Sequence, residues 1–126
     1  MVGTNMLAAW VAGGLDLGFA AFHVLFWRLF DWPGRLAASG QTNAAITQTL
    51  NIVLVYIFVV AGISILGYAW RGGPVPAPLA WAAAVFWLLR TILQPVMFSM
   101  RNTPSRVITV LFAINAAVHA FAALEN

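Results

Sequence analysis

The chain has 126 residues, 63% of them hydrophobic and only 7% charged, with a mean hydropathy of +0.91. Soluble domains carry about 25% charged residues, so this composition excludes a compact water-soluble fold and points to lipid as the solvent. Cysteine is absent, which excludes a disulfide framework, a thiolate metal site and a thiol nucleophile. The net charge of +3 comes from arginines scattered at segment ends. They form no basic patch, so the charge predicts topology signals and not nucleic-acid binding.

Four apolar segments follow one another, each near the roughly 20 residues that a spanning helix needs. The first runs over about residues 6–30 and ends in the turn Asp31-Trp32-Pro33-Gly34. The first cation is Arg28, so the basic n-region of a secretory signal is missing and a retained membrane helix is expected. A polar connector over residues 35–43 carries the breaker Ser39-Gly40. The second segment covers about 45–70 and is rich in Val and Ile. Arg71-Gly72-Gly73-Pro74-Val75-Pro76-Ala77-Pro78 reads as a loop. The third covers about 79–100 with Pro95 inside it. Asn102-Thr103-Pro104 reads as a helix cap with proline at the first helical position, and the fourth segment covers about 105–124.

The expected fold is all-α: a single four-helix transmembrane domain filling residues 1–126, up-down-up-down because the connections are short. A transmembrane β-barrel would need in-out alternation over about 10-residue strands, and these segments are apolar all round. Arg28, Arg35, Arg101 and Arg106 flank the first and third loops, against Arg71 alone at the second. The positive-inside rule then puts both termini outside, and the expected location is a bacterial cytoplasmic (inner) membrane. Trp10, Trp32, Trp70 and Trp81 fall near the expected interfaces.

Polar side chains inside the bilayer cost several kcal/mol (roughly 2.5–3.5 on insertion scales for charges), so each is a hypothesis about packing or function. Helical spacing gives every segment one polar stripe. Asp16, His23 and Trp27 share a face below Asn5, Ala9 and Ala12. Asn51 shares one with Thr47, Gln48, Phe58 and Gly62. Arg90 and Gln94 form an i,i+4 pair, as do Asn115 and His119. Counting about 1.5 Å per residue puts Asp16, Arg90 and Asn115 in one middle layer. An Asp16–Arg90 ion pair is expected there, fixing the register of the first and third helices.

His23, Asn51 and Gln94 are expected to form a second layer nearer the cytoplasm, either interhelical glue, a proton relay, or a pocket for a haem edge, a metal or a quinone carbonyl. Pro95 frees the carbonyl of Thr91 and predicts a kink beside it. His119 is expected alone, nearer the outside and too far from His23 for one haem to take both. Gly14-x-x-x-Gly18 is a small-xxx-small packing face for another helix or a second copy.

Two resemblances bear on these residues. His23-Val-Leu-Phe-Trp27-Arg-Leu-Phe-Asp-Trp32-Pro-Gly34 resembles the pigment-binding end of bacterial light-harvesting β polypeptides, where a histidine binds bacteriochlorophyll ahead of tryptophans and a Pro-Gly exit. It implies a pigment-ligand role for His23, but it covers a dozen residues, and those polypeptides span the membrane once. In length and helix count the chain is also similar to small multidrug transporters. Their pattern has an essential glutamate in the first helix, for which Asp16 is only a loose substitute.

Three readings stay open. The first is a non-enzymatic accessory subunit or binding protein with a polar intramembrane core, within a larger membrane complex or a homo-oligomer. The second is a small-solute or proton-coupled transporter using Asp16. The third is a redox or pigment protein holding haem, quinone or a chlorophyll-type pigment through His23 or His119. No motif for hydrolytic or transferase chemistry is present in the sequence.

Overall fold

A computed structural model describes the backbone of residues 4–124 and the side chains of residues 6–124. The side chain of Asn5, placed above on the first polar stripe, and the anion Glu125 lie outside the described residues. Six helices occur among them: α1 (Thr4–Val24), α2 (Phe26–Leu29), α3 (Gly34–Ala37), α4 (Gln41–Trp70), α5 (Ala77–Met97) and α6 (Thr103–Ala123). The four long ones, α1, α4, α5 and α6, are each long and apolar enough to cross a membrane. Their outward faces are greasy: Tyr56, Ile63 and Val96 are 69%, 60% and 71% exposed. Water would not tolerate so continuous a surface, whereas lipid does.

The first helix is shorter than its apolar run. It ends at Val24, not near residue 30. The N–H of Leu25 is shared between the carbonyls of Ala21 (3.2 Å) and Phe22 (3.1 Å), and Arg28 bonds back only three residues, to Leu25. This tightened turn lets the aromatic run fold on itself, with Phe26 packing against Phe22, Phe30 and Trp32. The connector that follows is partly helical (α3). Gly40, at φ 97°, adopts a left-handed conformation open to glycine, and α4 starts directly after it. At about 1.5 Å per residue, its 30 residues outrun the hydrocarbon layer. Its first turn accordingly carries the polar Gln41, Thr42 and Asn43.

The cap predicted at Asn102 is present. Its side-chain oxygen accepts from the N–H of Ser105 at 2.8 Å, although α6 begins at Thr103, so Pro104 is the second helical residue. Pro95 lies two residues before the end of α5, which closes at Met97. Its ring nitrogen cannot donate to the carbonyl of Thr91, and the helix stops within the same turn.

The close-packed pairs are α1–α4, α5–α6 and α1–α6. α4 and α5 meet through side chains instead, Phe58 reaching across to Phe86 and Trp87. Two apolar cores lie at different depths. One is built of small residues, including Ala8, Ala9, Ala12, Ala80, Ala122 and Ala123, closed by Ile65. The other is aromatic, with Phe19, Phe58, Trp87 and Phe112 around Ala20.

The glycine packing face predicted at Gly14 and Gly18 is not used inside the bundle. A Cβ at either would meet no atom within 4 Å. The close crossing of α1 and α4 is one residue earlier, at Gly13. A Cβ at Gly13 would sit 2.6 Å from Leu66 and 3.0 Å from the carbonyl of Gly62, and one at Gly62 would sit 2.9 Å from Leu17 and 3.0 Å from the carbonyl of Gly13. The one-residue shift turns the motif by about 100° around the helix, which carries Gly14 and Gly18 to the outer surface.

Gly62→Val is therefore expected to destabilise the chain by about 1–3 kcal/mol through overpacking, whereas Gly14→Val leaves the isolated chain nearly unchanged. Reversible unfolding in mixed detergent micelles, comparing the two variants, checks this.

Candidate functional site

Asp16, Asn115 and His119 are the polar centre of the bundle, with 1%, 0% and 0% of their surfaces exposed. α1 supplies the carboxyl group and α6 supplies the other two on one face, four residues apart. Nε2 of His119 lies 2.8 Å from Oδ2 of Asp16, and Nδ2 of Asn115 donates to Oδ1 at 3.3 Å. Nδ1 of His119 lies 2.6 Å from the backbone carbonyl of Asn115. A carbonyl only accepts, so Nδ1 carries a proton. A second proton is then held between Nε2 and Oδ2. The pair is either imidazolium with carboxylate or imidazole with carboxylic acid, and both forms have no net charge. Burying such a pair costs far less than burying either ion alone.

The expected Asp16–Arg90 pair does not form. Arg90 is half-buried, and its guanidinium lies 4.4 Å over the ring of Phe112 and 5.4 Å over that of Phe98. Two things explain the difference. His119 already neutralises Asp16, and a long cationic side chain in lipid settles on aromatic faces while its head reaches toward the membrane edge. His119 is accordingly not alone. Asp16 stands level with both members of the Asn115/His119 pair. Depth counting from the outer face set His119 about one helical turn away, only about 5.4 Å, a distance that the two side chains bridge.

The second layer forms in part. The face predicted on α4 is real: Asn51, Phe58 and Gly62 are buried along it, continued by Ile65 and Ala69. Nδ1 of His23 donates to Oδ1 of Asn51 at 2.6 Å, and Nδ2 of Asn51 donates to the carbonyl of His23 at 2.8 Å. The second bond fixes the amide, so Nδ1 bears the proton and Nε2 presents a lone pair. Beside this pair, Nε1 of Trp27 donates to Oε1 of Gln48 at 3.0 Å.

Gln94 does not join His23. It is buried against α6, and its Nε2 donates to Oγ of Ser105 at 2.9 Å, while its Oε1 has no partner. Sequence reasoning missed Ser105 as a contributor. Its place just behind the Asn102 cap, opposite the last turns of α5, is the signal that was available.

Of these residues, His23 has the donor best prepared for a metal or tetrapyrrole, a ring whose other nitrogen is anchored. The rings of Phe26 and Phe58 lie 4.3 and 5.2 Å from it. His119 has both nitrogens engaged. His23 and Asp16 are seven residues apart on α1, about 10 Å, with Phe19 and its aromatic neighbours between the two layers, so the two histidines belong to separate sites. Among the described residues no three His, Cys, Asp or Glu side chains gather as a metal site.

A cleft of about 250 Å3 lies between α4 and α5. Its walls include Ile57, Phe58, Ala83, Phe86 and Trp87, and Asp16 is the one ionisable residue lining it. Ile57 and Ala82 at its mouth are exposed, so it opens sideways, toward lipid. A second hollow of about 170 Å3 lies under the Gly72–Pro74 turn, beside Met6 and Ala9, and no candidate site residue lines it.

No family model, curated protein or solved structure matches this chain.

Asp16→Asn and His119→Gln are expected to be strongly non-additive, with a coupling of about 1–3 kcal/mol, whereas Asp16→Asn and Arg90→Gln are expected to add within about 0.5 kcal/mol. Double-mutant cycles on unfolding in mixed micelles measure both.

Proposed function

We propose that the chain is a small, non-enzymatic membrane protein that binds a lipid-soluble molecule sideways, from the bilayer, in the cleft between α4 and α5. The observation that carries this reading is the meeting of an apolar, laterally open cleft with Asp16. Binding sites for small molecules are typically concave and apolar with a few placed polar groups. The four spanning helices and short connections are consistent with a bundle in the bacterial inner membrane, up-down-up-down with both termini outside. A purely structural role for the Asp16–His119 pair accounts for its burial but not for the cleft beside it.

An accessory-subunit role has one observation in its favour. The Gly14/Gly18 strip faces outward, and among the described residues no side chain or neighbouring helix comes within 4 Å of where a Cβ would stand, a surface on which another membrane helix can approach closely. A proton-coupled carrier draws less support. Asp16 is 1% exposed, with the alanine core on one side and the aromatic core on the other. Pigment or haem binding draws its support from the lone pair of His23 alone.

Trp87 lines the cleft and so reports on it. In lipid vesicles a brominated two-ring hydrocarbon is expected to quench the tryptophan fluorescence saturably, and Trp87→Phe is expected to remove the saturable part. Quenching that rises without saturation, or is unchanged in Trp87→Phe, would rule the cleft out as a binding site.

A further inference from the structure

Resting on the reading of a lateral binding cleft, we propose that its guest is a compact, neutral hydroxyl compound of the phenol type, whose O–H donates to the carboxyl group of Asp16. Four observations converge on this class.

The first is size. An apolar cavity of about 150 Å3 accommodates benzene, so about 250 Å3 suits a ring somewhat larger, such as two fused rings or one substituted ring. The second is the wall. Phe58 from α4 and Phe86 and Trp87 from α5 line the cleft, and an aromatic guest gains edge-to-face contacts with such rings that a chain does not.

The third is the hydrogen-bond inventory around Asp16. A carboxylate has about four acceptor positions. His119 and Asn115 take two, and the Asn115 bond is long at 3.3 Å. Oδ1 of Asn115 is itself buried without a partner. The layer is thus rich in acceptors and short of donors, and what it lacks is an O–H or N–H group. A plain acyl chain in the cleft leaves that shortage in place.

The fourth is charge. Asp16 and His119 together carry no net charge, so a cationic amine would bring an uncompensated charge into the centre of the bilayer, which is costly. A neutral donor brings none. Phenols dissolved in the membrane and the reduced ring heads of prenylated lipids share this chemistry.

The test uses the full chain in lipid vesicles, with partition into protein-free vesicles subtracted. Naphthol and its methyl ether share the ring and the oxygen but only naphthol has a donor, and naphthalene has neither oxygen nor donor. Naphthol is expected to bind about tenfold more tightly than the ether, and Asp16→Leu is expected to abolish that preference while keeping the binding of naphthalene. The comparison on the unmodified chain stands even if the variant does not fold. Equal binding of naphthol and its ether overturns the proposal but leaves the lateral cleft as a binding site. Absence of binding by all three overturns both. Where naphthol is preferred, its displacement by a prenylated quinol but not by the matching quinone assigns the guest to the lipid ring heads. No displacement by either assigns it to a free phenol.

Discussion

Hydrocarbon offers no hydrogen bonds, so a polar group inside a membrane must find its partner within the protein. In this chain the requirement falls hardest on Asp16, and it is met by His119. The 2.8 Å contact ties α1 to α6 at one register, since a shift of one turn would cost the carboxyl group one of its two partners, His119 or Asn115. α1 in turn packs on α4, and α6 on α5. The placement of all four spanning helices therefore depends on one contact between residues 103 positions apart.

From that level the rest of the interior sorts by depth. On one side lie the alanines, whose small side chains allow the close crossing at Gly13 and Gly62. On the other lie Phe19, Phe58, Trp87 and Phe112, then the His23–Asn51 pair. The aromatic core does two jobs. It separates the two polar layers, and it supplies the ring on which the Arg90 guanidinium rests. A cation excluded from the central pair thereby finds a partner that is neither an acid nor water. The bulk of the same rings, meeting across α4 and α5, leaves the cleft beside Asp16.

Much of this was legible in the residues before any coordinates. The four spans follow from hydropathy, and the inward faces from a spacing of three and four: Asn51 with Phe58 and Gly62, Asn115 with His119, Asp16 with His23. The His23–Asn51 pairing was readable because both lie a similar distance from the loop that joins their helices. What failed was register between helices that no short loop joins. Asp16 and His119 are related only through the ends of α1 and α6, and an offset of one helical turn, about 5.4 Å, is enough to hide His119 as the partner. Gly14 and Gly18, expected to pack on another helix or a second copy, lie on the outer side. A motif names two small residues but not which side of the helix they fall on, and here the tighter crossing was won by Gly13.

The neutrality of the central pair bears on how the bundle meets an electric field. Moving one elementary charge across a membrane potential involves about 2.3 kcal/mol per 100 mV. A carboxyl group and an imidazole that share one proton between them carry no net charge, so shifting them together along the membrane normal transfers nothing through the field. Arg90, well inside α5, is different. It keeps its full charge on a long side chain between the rings of Phe98 and Phe112. The part of the interior on which a transmembrane voltage pulls is therefore not the hydrogen-bonded centre but the cation at its edge.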